Sequence, residues 1–219
     1  MIQAPNLQDL EWLEHGFGLR DSVLPSGIRT VKQIHSNIIL DAAGLDTAEL
    51  DGGAAEGDAL ISDQAGVRVG VKTADCVPIL LTDCSTHVVA AIHAGWRGTA
   101  ADIVGGVVRQ LVVRWKTRPE NLRAAIGPSI GVCCYEVGPE VAKQFERWIS
   151  VTKNRHLDLP AINEIQLRSA GVTNIWRSGE CTFCTPDRFF SFRREREHAS
   201  RMLSFIGLHK YIGRTPQLI

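Results

Sequence analysis

Thr86–Trp115, THVVAAIHAGWRGTAADIVGGVVRQLVVRW, is the stretch whose reading sets the fold. Val88 to Ile92 form a short apolar run of the kind that builds a buried strand. Gly95 and Gly98 then allow a sharp bend and a close approach of backbone to a ligand. Thr99 is placed to cap a helix. Beyond it Ile103, Val104, Val107, Val108, Leu111, Val112 and Trp115 recur at i, i+3 and i+4, which predicts one buried helical face. His93 falls where the strand ends and Arg97 lies in the turn. A helix start beside an arginine favours an anion, because free N–H groups and the helix dipole both attract negative charge.

Outward from this stretch, strands and helices mix without a regular βαβ rhythm, which predicts an α+β or mixed α/β fold. Glu11–Arg20 reads as an early edge strand. Val31–Leu40 has strand composition with His35 in its middle and a break at Ser36-Asn37. Asp41–Gly57, rich in Ala, Gly and acids, reads as loop, and Gly57–Ser62 as a short strand. Arg68–Asp83 gives two strand-like runs interrupted at Thr73–Cys76. Leu122–Tyr135 is a strand followed by a Gly/Pro loop. Gly138-Pro139 opens a helix whose buried face is Val141, Phe145, Trp148 and Ile149. A second helix, Leu159–Ala170, stops at Gly171. Val172–Trp176 is strand-like, Cys181–Arg194 a loop with an aromatic anchor, and Arg201–Leu208 fits either strand or helix.

The 219 residues are read as one domain, 1–219, large enough for a substantial core. Lys plus Arg number 24 and Asp plus Glu 24, a balance that argues against nucleic-acid or membrane-surface partners. The first sixteen residues carry neither a basic nor an apolar signal region, and no apolar run reaches the ~18 residues of a membrane span. The expectation is a cytoplasmic protein, monomer or homodimer, whose six cysteines are thiols or metal ligands rather than a disulfide framework.

Taken singly, the reactive residue types stay ambiguous. Cys76, beside Asp75 between two apolar runs, is either an inert buried thiol or a catalytic one. His35 and His93 lack H-x-x-x-H or H-E-x-x-H spacing, so a shared metal would have to form through the fold. Cys181 and Cys184 have CxxC spacing but no second CxxC, and a structural role is expected. The adjacent Cys133 and Cys134 read as poor candidates for ligating one metal, at least one of them a small buried residue.

KQIHSN (32–37), GDALIS (57–62), TADCVPILL (73–81), AIHAGWRGT (91–99), IGPSIGVCCYEVG (126–138) and CTFCTPDRFFSFRRE (181–195) occur in this order. Together they closely resemble the laccase-domain family long labelled polyphenol oxidase, whose members are described as purine nucleoside phosphorylases with adenosine deaminase activity. The resemblance covers about residues 11–208. It implies an α/β/β/α layered fold of mixed sheets, similar to cysteine-dependent toxin deamidases. It also implies a metal site of His35, Cys76 and His93, holding zinc or alternatively copper, with Cys76 as nucleophile if the site is metal-free. Family members carry a longer segment between the HGFGLR-like strand and KQIH. Here only eleven residues separate Arg20 from Lys32, so Arg20 alone is carried over from that region.

The implied substrates are a purine nucleoside, namely adenosine, inosine or methylthioadenosine, and phosphate. Arg97 and the N–H groups near Gly98 and Thr99 would hold the phosphate, with Arg193 or Arg194 assisting. Deamination through zinc-activated water calls for a proton shuttle. No H-x-E glutamate is present, which leaves Asp75 or Asp58. Two enzymatic alternatives accompany this reading. One is an amidase editing peptidoglycan precursors; the other is a copper-dependent polyphenol oxidase. Seven histidines without an H-x-H pair fit the second poorly. A non-catalytic binding protein on the same fold is a further alternative, and retention of all three ligand types argues against it.

Overall fold

The computed structural model describes residues 1–45, 51–153 and 155–210. In chain order it begins with strands β1 (Leu13–Phe17), β2 (Ile28–Lys32), β3 (Ile39–Asp41), β4 (Asp51–Glu56) and β5 (Ala59–Ser62). There follow β6 (Arg68–Thr73), β7 (Val77–Asp83), β8 (Val89–Ala94), helices α1 (Trp96–Ala100) and α2 (Ile103–Trp115), and β9 (Leu122–Ile126). The rest comprises α3 (Pro139–Ala142), β10 (Thr152–Lys153), β11 (His156–Leu157), α4 (Leu159–Ser169), β12 (Asn174–Arg177), α5 (Phe192–Glu195) and β13 (Met202–Leu208).

Two mixed sheets dominate. One has five strands in the order β1-β13-β6-β2-β4, the other six in the order β12-β9-β7-β8-β5-β3. The continuous apolar runs are explained by burial on both faces, since every residue of β7 and β8 is buried. Ile79, Leu81, Ala90 and Ile92 point to one face, where Val104, Val107 and Leu111 of α2 and Ile162 of α4 cover them. Leu80, Val89 and Ala91 point to the other, against Phe17, Val69, Val71 and Ile206 of the five-stranded sheet. Fully burying each large aliphatic side chain contributes about 1.5–3 kcal/mol, so these two layers hold the central strands rigidly. The loops at their ends carry the chemistry.

The helix expected to run from Thr99 is divided. Thr99 is not its cap: Gly95 precedes α1, and Asp102, in the left-handed region at φ 55°, separates α1 from α2. The cause is tertiary. Asn163 Nδ2 of α4 donates to Thr99 Oγ1 at 3.0 Å and Gln166 Nε2 donates to Thr99 O at 2.8 Å. These bonds draw the first turn toward α4. Gly105 leaves room for the Asp102 carboxylate, which a Cβ there would meet at 2.4 Å.

Asp41–Gly57, expected as loop, contains β4, which pairs parallel with β2 at the edge of the five-stranded sheet. DGGAAE has little intrinsic strand preference, and pairing overrides it; residues 46–50 lie outside the described residues. The break in Val31–Leu40 is present between β2 and β3. Arg201–Leu208 resolves as strand β13, held between β1 and β6. After α3 the chain continues as 3-10 helix through Lys143–Val151. Phe145 is buried there, and the Ile149 side chain lies outside the described residues. Gly171, with φ 94°, ends the α4 segment as expected.

Candidate active site

His93 is the penultimate residue of β8, Cys76 sits in the turn between β6 and β7, and His35 lies in the irregular segment after β2. The folded sheets bring one ligand atom from each within 4.8 Å of the others. Cys76 Sγ is 3.9 Å from His35 Nε2, and the two imidazole rings meet edge to face with centroids 4.9 Å apart.

Asp58 organises both histidines. It is fully buried just before β5 and accepts a hydrogen bond from His93 Nδ1 at 2.7 Å. That fixes the ring and leaves Nε2 free to face Cys76 and His35, the arrangement in which a carboxylate orients a metal-binding histidine. The same carboxylate accepts from the backbone N–H of His35 at 3.0 Å and of Ser36 at 2.6 Å, and from Ser36 Oγ at 2.7 Å. His35 has φ 59°, a conformation that costs a non-glycine residue about 1–2 kcal/mol. These bonds to Asp58 hold it there.

Gly95 closes the other side. A Cβ at this position would lie 3.0 Å from His35 Cδ2 and 3.2 Å from Cys76 Sγ. A side chain there would press on both ligands and force them to shift.

Asp75 also has positive φ, 87°, and its carboxylate is fully engaged. Thr182 Oγ1 donates to Oδ1 at 2.6 Å, while Ser191 Oγ and the Arg193 N–H donate to Oδ2 at 3.1 and 2.7 Å. Of the two carboxylates expected as a proton shuttle, Asp75 lines the cleft while anchoring the Cys181–Arg194 loop, and Asp58 lies buried behind the histidines.

The electrostatics are those of a coupled thiol–imidazole pair. Burial would raise the Cys76 thiol, but hydrogen bonding and charge from His35 and His93 outweigh it and bring it down to about 6. Burial would lower His93, and the bonds to Asp58 and Cys76 instead raise it to about 9. Asp58, despite burial, is held at about 2 by His93 and Ser36. Thiolate, imidazolium and carboxylate therefore coexist at neutral pH. Two imidazoles and a thiolate in this arrangement would suit a metal ion.

That cleft has a volume of about 670 Å³. Lys32, Lys72, Arg97, Arg193, Arg196 and Arg201 line it, against the single acid Asp75 among the described residues. Trp96, Tyr135 and Phe192 supply flat surfaces, with the Arg97 guanidinium 4.2 Å from the centroid of the Trp96 ring. Burial and the nearby Cys76 charge push Tyr135 up to about 12, so it keeps its hydroxyl proton.

The six expected phosphate contacts separate. Arg97 and Arg193 line the cleft. Thr99 is fully buried and its N–H is spent on Gly95 O at 2.9 Å. Gly98 is packed beneath, where a Cβ would meet Ser36 O at 3.0 Å. Arg194 is turned to the carbonyls of Thr182, Phe183 and Phe189. Arg20 donates to Phe189 O, pairs with Glu195 and stacks on Phe190. The last two brace the loop that carries Arg193. Sequence reading gave no site role to Tyr135, Arg196 or Arg201. The basic tract 193–196 was the available signal for Arg196, and the IGPSIGVCCYEVG motif for Tyr135.

Neither Cys133 nor Cys134 is the small buried residue expected: Cys133 is exposed and Cys134 half-buried. With Cys181 and Cys184 they form a second group whose sulfurs all lie within 4.8 Å of one another. Neither adjacency in sequence nor the lone CxxC revealed this, because the two loops meet only in the fold.

Comparison with known proteins agrees with this architecture. The chain is 42% identical over 166 residues to a purine nucleoside phosphorylase of Deinococcus radiodurans, covering 73% of this chain and 64% of that one. It is 36% identical over 211 residues to adenosine deaminase RL5 of an unknown prokaryotic organism, covering 90% and 78%. The crystal structure of Bacillus licheniformis protein YfiH superposes with a TM-score of 0.77 at 31% identity, over 83% of this chain and 74% of that one. No helix among the described residues is long and apolar enough to cross a membrane. The profile described as multi-copper polyphenol oxidoreductase laccase matches residues 18–209, and the chain belongs to that family.

Proposed function

We propose that this chain is a zinc-dependent purine nucleoside phosphorylase acting on adenosine, inosine and methylthioadenosine, with adenosine deamination as a secondary activity. The observation that carries the reading is the convergence of His35, Cys76 and His93 at a cleft lined by cations and aromatic rings. Zinc held by these three residues would supply Lewis acidity and acidify a water or substrate group in its remaining position.

The chain's own groups account for the rest. Trp96, Tyr135 and Phe192 offer faces for a purine, and Tyr135 keeps a hydroxyl donor for it. Arg97 and Arg193, assisted by Lys72, Arg196 and Arg201, draw phosphate into the same cleft. In phosphorolysis a phosphate oxygen forms the bond to the anomeric carbon as the bond from that carbon to the base breaks. The departing base takes up the proton that the hydrogen phosphate gives up on forming the ester. Positioning and charge complementarity carry most of such a rate. The excess of cations favours phosphate as co-substrate. Asp75 lines the cleft with its carboxylate already accepting three hydrogen bonds, which disfavours it as a proton shuttle and so favours phosphorolysis over deamination.

The family's description speaks of multi-copper chemistry. A multinuclear copper centre draws on many imidazoles. Among the described residues, one metal-compatible group has two histidines and the other has none. That favours a mononuclear site. A second reading rests on the Cys76–His93–Asp58 series itself, which in metal-free protein has the parts of a thiol nucleophile beside a base and its orienter. Its expected substrate is an amide of a peptidoglycan precursor.

Product analysis separates these readings. Protein of measured zinc content is incubated with adenosine or inosine, with and without phosphate. Ribose 1-phosphate and free base appearing only with phosphate support phosphorolysis; inosine and ammonia from adenosine identify deamination. Turnover of neither nucleoside, with amino-acid release from a muropeptide, contradicts the assignment.

A further inference from the structure

We propose that Cys133, Cys134, Cys181 and Cys184 bind a second zinc ion through four thiolates, and that this ion staples the Gly127–Tyr135 loop to the loop that begins at Cys181. The sulfurs are already spaced for it. Cys184 Sγ lies 3.3 Å from Cys134 Sγ and 3.7 Å from Cys133 Sγ, and all four lie within 4.8 Å of one another. A tetrahedral zinc with sulfurs at about 2.3 Å separates each pair by about 3.8 Å. No histidine or carboxylate belongs to the group, and an all-sulfur set selects a soft, tetrahedral ion.

The surroundings match. The Gly131 N–H donates to Cys181 Sγ at 3.2 Å, a backbone bond of the kind that steadies a metal-bound thiolate. Gly131 packs closely on the sulfurs: a Cβ would meet Cys133 Sγ at 3.3 Å and Cys181 Sγ at 3.5 Å. Backbone bonds from Thr182 N to Ser129 O at 3.0 Å and from Ser129 N to Glu180 O at 3.3 Å hold the loops in register. Binding would release the thiol protons to solvent and leave a tetrathiolate site.

The staple reaches the cleft by two short routes. Tyr135, which lines it, follows Cys134 directly. Thr182 follows Cys181 and donates to Asp75, the residue before Cys76. A metal here would act as a positioning device for the cleft wall while touching no substrate. The two donor sets share no residue, so the inference stands apart from the activity assigned above.

Zinc is measured by mass spectrometry on protein purified under reducing conditions. Wild type is expected to carry two zinc ions per chain, Cys76→Ala one, Cys184→Ser one, and the double variant close to none. Cys184→Ser with wild-type zinc content would overturn the proposal. So would disulfides among these cysteines in native protein, or iron with labile sulfide in place of zinc. If Cys184→Ser fails to fold, cobalt reconstitution of Cys76→Ala decides. That variant lacks the thiol of the other site, so strong thiolate-to-cobalt charge-transfer absorption supports the four-cysteine centre, and its absence refutes it.

Discussion

The two donor clusters are built by the same device, loops held at the ends of buried strands, yet they differ in nearly every detail. The His35–Cys76–His93 group mixes nitrogen and sulfur, stands on the fully buried Asp58 and opens into a cationic cleft. The four-cysteine group is all sulfur, is braced by a backbone N–H, and is half-buried to exposed. Three protein ligands with an open position suit chemistry, whereas four suit structure. The difference teaches that ligand number and what lies beside the ligands separate a working centre from a staple, even where both suit one metal.

The largest contrast is expected from removing one ligand of each. His93→Ala should lower phosphate-dependent nucleoside cleavage by about 10³-fold, since the lost Lewis acid is worth several kcal/mol at the transition state. Cys184→Ser should leave that rate within about tenfold and act mainly on the melting temperature. Parallel rate and melting measurements read both; equal rate losses would erase the distinction.

Asp58→Asn tests whether the carboxylate is what sets the first cluster apart. Metal affinity should fall by about 10–100-fold, as for loss of a residue orienting a metal-bound histidine. Competitive chelation is the measurement, and unchanged affinity would reduce Asp58 to a packing role. Arg97→Ala should raise the phosphate KM by about 10-fold or more, the value of one charge-assisted hydrogen bond, with little change in adenosine deamination. If phosphate dependence is unaltered, the anion site lies elsewhere in the cleft.

The smallest effect is in pH. In metal-free protein Asp58 sits at about 2, below an unperturbed carboxylate at 3.8. Its contribution is fully present above the unfolded value and is lost as pH falls toward 2, on the order of 2 kcal/mol. His93, raised to about 9, works in the opposite sense: its share is present below 6.5 and lost as pH rises through 9. Cys76, lowered from 9.0 to about 6, gains over nearly the same interval and offsets that loss. Urea midpoints should therefore stay nearly level from 6.5 to 9 and fall on the acid side in wild type, and that acid flank should be missing in Asp58→Asn.

Much of the fold could be read before the structure because its central strands are buried on both faces and read as unbroken apolar runs. The α2 helix announced itself by its spacing. Thr99 misled because its partners, Asn163 and Gln166, lie on a different helix. DGGAAE misled because an edge strand can be made by pairing alone. At the site, His35, Cys76 and His93 were named through motif resemblance, since no local periodicity links them. The role of Asp58 was out of reach, because a hydrogen bond from β8 to the residue before β5 leaves no mark on either segment. The same holds for Cys133 and Cys134, whose partners arrive from a separate loop.

The most direct measurement follows zinc added back to metal-free protein, with phosphate-dependent cleavage of inosine and alkylation of Cys76 read in the same samples. With its thiol near 6, Cys76 should be modified readily at neutral pH without metal. Protection of Cys76 and the appearance of ribose 1-phosphate should then rise together and saturate together. Full cleavage while Cys76 still reacts freely would contradict a catalytic metal at His35, Cys76 and His93.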